Sequence, residues 1–251
     1  MNFGDLSFRC NICGESGVVP VAELSREVAS CASCGSTPRL RAVIRVLSVE
    51  LFSRSLALPD FPQNSSIRGI GMTDCYRYAI PLAKKLGYTN TYLHTEPVFD
   101  VTALPDDYQG AFDFVIASDV FEHVRPPVSV AFDNVRKMLK PGGVFVFTVP
   151  YGKAQSTVEH FPDLWEYQIM EVNGHPIMRN RTKEGTLQEF DNLVFHGGPG
   201  MSLEFRAFSE AGLMEEFRRS GYNYVKVYRE PDFVHGVYWI EDWSLPIAAR
   251  P

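Results

Sequence analysis

The feature that most constrains the fold is an alternation of strand-like and helix-like segments that begins near residue 66. The strand candidates are short apolar runs at Ile67–Gly71, Thr91–His94, Phe112–Ser118 and Val144–Val149. Amphipathic helix candidates lie between them, at about Tyr76–Leu86 and Val128–Leu139. This alternation is typical of a parallel sheet covered by crossover helices. The sequence therefore predicts an α/β fold for this part of the chain.

Residues 151–205 interrupt the alternation and are rich in His, Asn, Gly and aromatic side chains. An insertion of this length in a compact fold is more often a lid or a substrate wall than an idle loop. The pattern then returns, with a helix predicted at Ser209–Ser220 and strands at Tyr222–Tyr228 and His235–Ile240. The run Phe99–Val101 predicts one further short strand.

Four of the five cysteines form two pairs near the N-terminus, Cys10-x-x-Cys13 and Cys31-x-x-Cys34, which 17 residues separate. Two residues between cysteines let one tight turn offer both thiolates to one zinc ion, and two such turns complete a tetrahedral site. Four sulfur ligands leave no open position, so this zinc is expected to be structural. The run Val18–Leu24 is expected to form the hairpin of a zinc ribbon. Free or redox-active thiols are the alternative.

These patterns divide the chain into three parts. Residues 1–36 form a zinc-ribbon module that is too small to build a stable core without its metal. Residues 37–65 comprise a connecting amphipathic helix from Thr37 to about Ser55 and a linker that contains two prolines. Residues 66–251 form the α/β domain, with the insertion at about 151–205.

Composition narrows the classes of partner. The chain of 251 residues carries a formal net charge of −6 with a pI near 5.5, which disfavours a nucleic acid as partner. The N-terminal residues lack a basic segment followed by an apolar run, and no stretch of about 18 apolar residues occurs. We expect a soluble, cytoplasmic protein without a membrane partner, and a homodimer is one assembly that the sequence leaves open.

Five motifs in residues 66–150 follow one another in the order and spacing of the class I methyltransferases, which this part of the chain resembles. They are Ser66–Gly71, Tyr92–Glu96, Asp100–Pro105, Phe112–Val124 and Leu139–Val144. The resemblance implies a Rossmann-like sheet, mostly parallel with an antiparallel last strand. It also implies S-adenosylmethionine as the methyl donor.

Cofactor contacts are predicted at the ends of the first two strands. Glycine in the turn after the first strand allows close approach of a ligand, which makes Gly71, and after it Gly69, the candidates. The chain departs from the family's run of glycines at Met72–Cys75. Glu96 follows the second strand, where a carboxylate can accept hydrogen bonds from both ribose hydroxyls.

Further cofactor contacts are predicted along the following segments. Asp100 resembles the family's acidic residue near the adenine amino group, with Val101 supplying backbone contacts; a turn cap is the alternative for Asp100. Ser118 and Asp119 end a strand that is apolar on both faces and therefore reach the ligand edge of the sheet.

The catalytic candidates are two histidines. His123 belongs to a Glu-His pair that many family members carry beside the cofactor and the acceptor, and a histidine there can remove a proton during methyl transfer. In the insertion, the glycines at 197–200 predict a turn that presents His196 and Arg206 to a common point. The alternatives are structural histidines and an ion pair of Arg206 with Glu204 or Glu210. The insertion also supplies candidates for an acceptor wall, namely Tyr151, His160, Trp165, Tyr167, His175, Asp191 and His196.

A hydroxyl of a saccharide or of another polar small molecule is the leading acceptor, because aromatic rings stack on sugars and amides bind hydroxyls. One alternative is an RNA or protein methyltransferase that grips its substrate with the ribbon and a basic face. That face would comprise Arg39, Arg41, Arg45, Arg54 and Arg68. The other alternative is a zinc-containing binding module that has lost its cofactor.

Overall fold

A computed structural model describes residues 4–196 and 202–251 of the chain. In chain order the strands are β1 (Asp5–Arg9), β2 (Ser16–Pro20), β3 (Asn64–Met72), β4 (Leu86–Thr91), β5 (Phe112–Ser118), β6 (Leu139–Thr148), β7 (Tyr151–Gly152), β8 (Val158–Glu159), β9 (Glu166–Val172), β10 (His175–Arg181), β11 (Leu187–Phe190), β12 (Phe195–His196), β13 (Ser202–Leu203), β14 (Arg206–Ser209), β15 (Tyr224–Val227) and β16 (Ile247–Arg250). The helices are α1 (Pro38–Phe52), α2 (Tyr76–Ala83), α3 (Ser129–Met138) and α4 (Glu210–Arg219).

The centre of the molecule is a six-stranded sheet with the order β15-β16-β6-β5-β3-β4. The strands β4, β3, β5 and β6 pair in parallel, whereas β16 is antiparallel to both of its neighbours. The central strand β5 is apolar on both faces, and its residues 114–117 are fully buried, as expected for a sheet that is covered on both sides. The predicted mostly parallel, Rossmann-like sheet with an antiparallel last strand is confirmed.

The connecting helix α1 has clear signals at both ends. The hydroxyl of Thr37 accepts a hydrogen bond from Leu40 N at 3.3 Å, and Pro38 occupies the first turn, where its missing N–H costs nothing. Ser53, with a φ of 58°, ends the helix in the left-handed region. No helix among the described residues combines the length and the apolar character that crossing a bilayer requires.

The N-terminal residues pack directly on one face of the sheet. Strands β1 and β2 form a hairpin, and Phe8, Ile12 and Leu24 share one buried cluster with α1, α2 and residues of β5 and β6. The segment predicted as a linker is also partly buried, because Leu58 and Phe61 enter the same cluster. The boundaries after residues 36 and 65 therefore separate sequence patterns within one continuous core and remain a prediction.

The insertion forms small sheets of its own beside the carboxyl ends of the central strands. Strands β9, β10 and β11 make an antiparallel sheet, β12 pairs with β13, and β14 lies between β7 and β8. A separate small core of Phe161, Met178, Leu203 and Phe205 holds these pieces together. The insertion is thus an ordered structural unit within the described residues.

Three predicted strands are wrong in position or type. The second parallel strand ends at Thr91, where the prediction of Thr91–His94 begins. Phe99–Val101 contributes no strand, and Tyr92 and Val98 form only an isolated bridge. His235–Ile240 contributes a short 3-10 turn and a loop, and the last strand is β16 instead. The other predicted helices and strands of the α/β part are confirmed to within a few residues.

Candidate active site

The carboxyl ends of the parallel strands meet at one edge of the central sheet. The direction in which strands are added reverses at β3, because β4 lies on one side of it and β5 on the other. Ligands of open α/β sheets bind outside the carboxyl ends at such a point. Two residues here, Thr73 after β3 and Asp119 after β5, have φ angles of 56° although neither is glycine. Such strained backbone clusters at functional sites, so this edge is the candidate active site.

The two predicted glycines are required by packing inside the protein. A Cβ on Gly69 would lie 2.0 Å from the ring of Phe114, and a Cβ on Gly71 would lie 2.0 Å from Asp74 Oδ2 and 2.1 Å from Tyr88 Oη. The space that each glycine leaves is therefore filled by protein atoms. Close approach of a cofactor to their backbone remains a prediction.

Asp74 is a buried carboxyl that the sequence interpretation did not assign to the site. Tyr88 Oη donates a hydrogen bond of 2.5 Å to Asp74 Oδ2, while the Asn90 side chain binds the Asp74 backbone N–H and C=O, each at 2.9 Å. Burial raises the pKa of Asp74 to about 7, although the hydrogen bond from Tyr88 opposes the shift. This side chain fixes the turn that follows β3.

Glu96 and Asp100 lie in exposed loops beyond the end of β4. Glu96 Oε2 accepts a hydrogen bond of 3.2 Å from Val98 N. Asp100 Oδ1 accepts hydrogen bonds from the backbone and the hydroxyl of Thr102 at 2.8 and 2.7 Å, which is the turn cap considered from the sequence. The next residue, Val101, is buried. Both carboxylates are open to a ligand, and their contacts with the cofactor remain predictions.

Ser118 and Asp119 end β5 in a cluster of charges. The Asp119 carboxylate accepts hydrogen bonds from Arg26 at 2.7 and 2.9 Å and lies 3.1 Å from Arg39 Nε. Arg39 also donates to Ser118 Oγ at 2.7 Å, and Thr148 donates to Asp119 at 3.1 Å. Burial alone would raise the pKa of Asp119, but Arg26 and Arg39 outweigh it and hold this pKa below its ordinary value. Because Arg26 lies in the N-terminal module, this module reaches the candidate active site.

A chain of imidazoles and carboxylates lies just beyond this point. His123 follows β5 in a short 3-10 turn, and its Nδ1 lies 2.8 Å from the carbonyl oxygen of Leu203. Its Nε2 lies 3.1 Å from Nδ1 of His196, whose Nε2 lies 2.9 Å from Glu204 Oε2. Burial lowers the pKa of His123. The structure thus brings together the two histidines that the sequence proposed as catalytic.

His160 and Glu122 lie next to these imidazoles and carboxylates. His160 Nε2 lies 2.9 Å from the second carboxylate oxygen of Glu204. Glu122, beside His123, is 1 % exposed, and burial together with the charge of Asp119 raises its pKa to about 8. Neither oxygen of Glu122 has a hydrogen-bond partner among the described residues.

Arg206 has a structural role that the sequence interpretation did not predict. It is fully buried, its Nη1 donates to the carbonyl oxygens of Phe121 and Val124 at 2.7 and 2.6 Å, and its Nε pairs with Glu159 at 2.6 Å. It therefore holds the turn that carries His123. The prediction that it points with His196 to a common point is wrong, as are the predicted surface pairs, and the turn predicted at 197–200 lies outside the described residues.

A cleft of about 1020 Å³ opens on the insertion next to this turn. Its walls combine aromatic, amide and guanidinium side chains. They include Arg125, Trp165, Tyr167, Gln168, Arg179 and Gln188. Trp165 and Tyr167 were predicted for the acceptor wall and do line the cleft, whereas Tyr151 is buried elsewhere and His175 and Asp191 are exposed outside it.

The four N-terminal cysteines converge on one point. The Sγ atoms of Cys10 and Cys34 are 3.7 Å apart, as are those of Cys13 and Cys31, and all four lie within 4.8 Å of one another. Zinc–sulfur bonds of about 2.3 Å place the corners of a tetrahedron about 3.8 Å apart. The cluster therefore fits a tetrahedral zinc ion, which would tie the two turns of the N-terminal module together.

Arg41 is the buried cation beside these cysteines. Its guanidinium donates hydrogen bonds to the carbonyl oxygens of Ser36 and Gly236 and to Ser30 Oγ, all between 2.7 and 3.0 Å. Burial lowers the pKa of Arg41, whereas the charge of the four thiolates opposes this shift. Arg41 thus links the cysteine cluster to α1 and to the loop before β16.

Residues 45–193 match a protein family described as a methyltransferase domain. The highly reducing polyketide synthase sor1 of Hypocrea jecorina (strain QM6a) is 28% identical over 119 residues, which are 43% of this chain. This chain spans only 4% of the length of that protein.

Several solved structures are similar at low sequence identity. The sugar N-methyltransferase KedS8 from Streptoalloteichus sp ATCC 53650 is 11% identical with a TM-score of 0.47, and the match covers 84% of this chain and 86% of that one. The CcbJ methyltransferase from Streptomyces caelestis is 15% identical with a TM-score of 0.45, and the match covers 87% and 97%. Since the family match spans more than half of the sequence, the chain belongs to the Rossmann-like, S-adenosylmethionine-dependent methyltransferases.

Proposed function

We propose that this methyltransferase transfers the methyl group of S-adenosylmethionine to a hydroxyl of a saccharide or of another polar small molecule. The methyl carbon leaves sulfur and bonds to the hydroxyl oxygen, the electron pair of the broken bond stays on sulfur, and the hydroxyl releases its proton. The protein must therefore align the two substrates and assist the loss of one proton. Each requirement has candidate residues at the carboxyl edge of the sheet.

The proposal depends chiefly on the position of His123 and His196. His123 follows β5 and His196 contacts it, so both lie at the carboxyl edge of the sheet, next to the switch point at β3 where ligands of open α/β sheets bind. The carbonyl of Leu203 fixes the His123 ring at 2.8 Å, and Glu204 fixes the His196 ring at 2.9 Å. We assign the binding of the acceptor hydroxyl to His123 and His196, with Ser118 and Asp119 at the end of β5 beside them.

The cleft next to this turn supplies the binding surface for the rest of the acceptor. Trp165 is 58 % exposed and Tyr167 lies under Arg125, whose Cζ is 5.9 Å from the ring centre. Exposed aromatic faces stack on sugar rings, and amides such as Gln168 and Gln188 donate and accept hydrogen bonds with hydroxyls.

The basic face that an RNA methyltransferase needs is largely turned inward. Arg39 is paired with Asp119, Arg41 is fully buried and Arg45 lies against Asp232. Only Arg54 and Arg68 of the clustered arginines are exposed. This placement supports a small acceptor over a phosphate backbone.

The test is a methyl-transfer assay with a panel of saccharides, nucleosides and other polyols. S-Adenosylhomocysteine formation and the mass gain of one methylene in the product are measured together. Trp165→Ala should raise KM with little change in kcat, whereas His123→Ala should lower kcat by about 100-fold or more. His175→Ala is the matched control, because this histidine is exposed outside the cleft. Turnover only with RNA or protein would contradict the proposal.

A further inference from the structure

Glu122, His123 and His196 present their ligand atoms to a common point. His123 Nε2 lies 3.1 Å from His196 Nδ1 and 3.8 Å from Glu122 Oε1, and the three ligating atoms fall within 4.8 Å of one another. Glu122 is 1 % exposed, and neither of its oxygens has a hydrogen-bond partner among residues 4–196 and 202–251. A buried carboxylate without donors is costly, since its desolvation is not repaid.

The partners of the His123 and His196 rings indicate which of their nitrogens carry protons. Leu203 offers a carbonyl oxygen, which only accepts, so His123 must carry its proton on Nδ1. Glu204 Oε2 lies 2.9 Å from His196 Nε2, and a carboxylate oxygen at this distance favours a proton on that nitrogen. The remaining nitrogens of the two neutral rings then face each other with lone pairs at 3.1 Å. Two lone pairs and a carboxyl group without hydrogen-bond partners in the described part of the chain therefore face a common point that a cation would satisfy.

A single added proton would satisfy the two rings but would leave the Glu122 carboxyl without a hydrogen-bond partner among the residues that the structure describes. A divalent metal ion satisfies all three groups. Ligand atoms about 2.1 Å from an ion are about 3.0–3.4 Å apart, so the two nitrogens are already placed, and Glu122 Oε1 must approach His123 Nε2 from 3.8 Å by about half an ångström. Metal-bound imidazoles normally donate their other N–H to a carbonyl or a carboxylate. Leu203 and Glu204 supply these two acceptors.

We propose that Glu122, His123 and His196 bind a divalent first-row transition-metal ion whose open positions hold adjacent hydroxyls of the acceptor. Two imidazoles and one carboxylate suit manganese, iron or zinc in the divalent state, and three protein ligands leave positions free for substrate oxygens. This site differs in chemistry from the cysteine cluster, whose soft thiolates select zinc. The part that concerns hydroxyls rests on the proposed function.

The ion would act by lowering the pKa of the hydroxyl that it binds. That hydroxyl loses its proton to solvent water before methyl transfer. Its oxygen then forms the C–O bond while the C–S bond of the donor breaks, and the bonding pair remains on sulfur, which changes from a sulfonium to a thioether. An ion with two open positions favours an acceptor with adjacent hydroxyls, so a saccharide or a polyol fits better than a simple alcohol.

The test is a titration of Mn²⁺ into protein that holds one equivalent of zinc. Binding is measured as the loss of the electron paramagnetic resonance signal of free Mn²⁺. Manganese prefers oxygen and nitrogen ligands, so it leaves the cysteine cluster alone. We expect one Mn²⁺ per chain in the wild type. His196→Ala and Glu122→Gln should each weaken binding by about 100-fold, and Glu204→Gln by about 10-fold. His175→Ala should bind as the wild type does.

Folding of each variant is checked by circular dichroism, and His196→Ala is the safer of the two ligand variants because His196 is 42 % exposed. Absence of Mn²⁺ binding to the wild type, or equal binding to well-folded His196→Ala, would overturn the metal site. Saccharide methylation that needs no divalent ion would overturn it while leaving the proposed function intact. One bound Mn²⁺ without methylation of any hydroxyl acceptor would support the site and contradict the proposed function.

Discussion

Asp119→Asn separates the charge of the carboxylate from its shape and its backbone angle. Asparagine tolerates the left-handed φ of 56° at this position, so the substitution adds little backbone strain. The amide keeps one acceptor oxygen but removes the negative charge that faces Arg26 and Arg39. These three side chains are only 18–19 % exposed, so solvent replaces the lost charge poorly.

The expected cost follows from these contacts. Hydrogen bonds to charged groups contribute about 1.5–3 kcal/mol, and an unpaired buried charge costs about 3–5 kcal/mol. Glu27 remains paired with both arginines, which reduces the penalty. We expect Asp119→Asn to lower the free energy of unfolding by about 2–3 kcal/mol, and Tm by about 5–10 °C.

Urea unfolding followed by circular dichroism measures this loss. Asp113→Asn is the matched control, because Asp113 accepts a hydrogen bond of 2.7 Å from Lys140 at a site about one-third exposed, where ion pairs contribute at most about 1 kcal/mol. The pKa of Asp119 is lowered in the fold, so its contribution is present above about pH 4 and disappears as the pH falls further. A loss no greater than that of Asp113→Asn at pH 7 would refute the reasoning.

Three further variants test separate parts of the structure. Burial raises the pKa of Asp74 to about 7, so ionisation of this carboxyl lowers the stability of the wild type as the pH rises from about 4 to 7. The difference in free energy of unfolding between Asp74→Asn and the wild type, measured in urea, should therefore shift in favour of the variant by up to about 4 kcal/mol between pH 4 and pH 8. Parallel pH profiles of the two proteins would contradict this. Cys13→Ala should reduce the zinc content from about one ion per chain to none and expose the backbone amides of the N-terminal hairpin to hydrogen exchange, whereas retained zinc would exclude the cluster as its site. Arg206→Met should lower the free energy of unfolding by about 3 kcal/mol or more in thermal unfolding, because Arg206 is fully buried and binds two carbonyl oxygens of the turn that carries His123. A loss below about 1 kcal/mol would show that the turn does not need it.

The central strands were predictable because a strand that is buried on both faces has an almost uninterrupted apolar sequence. Phe112–Ser118 is an uninterrupted apolar run, and its strand has the predicted bounds. By contrast, β4 lies at the edge of the sheet and pairs on one side only, so polar residues such as Thr89 and Asn90 are tolerated in it. The short strand β16 is rich in alanine, which has low strand propensity, and its position between β15 and β6 determines its conformation.

The candidate site was predictable as residue types but not as contacts. His123 and His196 each lie in a segment with its own local sequence signal, whereas their pairing joins residues 73 positions apart. The contact of Arg26 with Asp119 spans 93 positions and carries no local signal. The positive φ of Thr73 is likewise invisible in the sequence, since threonine rarely adopts it.

Calorimetric titration with S-adenosylhomocysteine tests the central claim most directly, because a methyltransferase must bind the product of its methyl donor at the carboxyl edge of the sheet. We predict saturable binding of about one molecule per chain with a Kd between about 1 μM and 1 mM, weakened by about tenfold in Glu96→Gln. No heat of binding to the folded wild type at millimolar ligand would contradict the account.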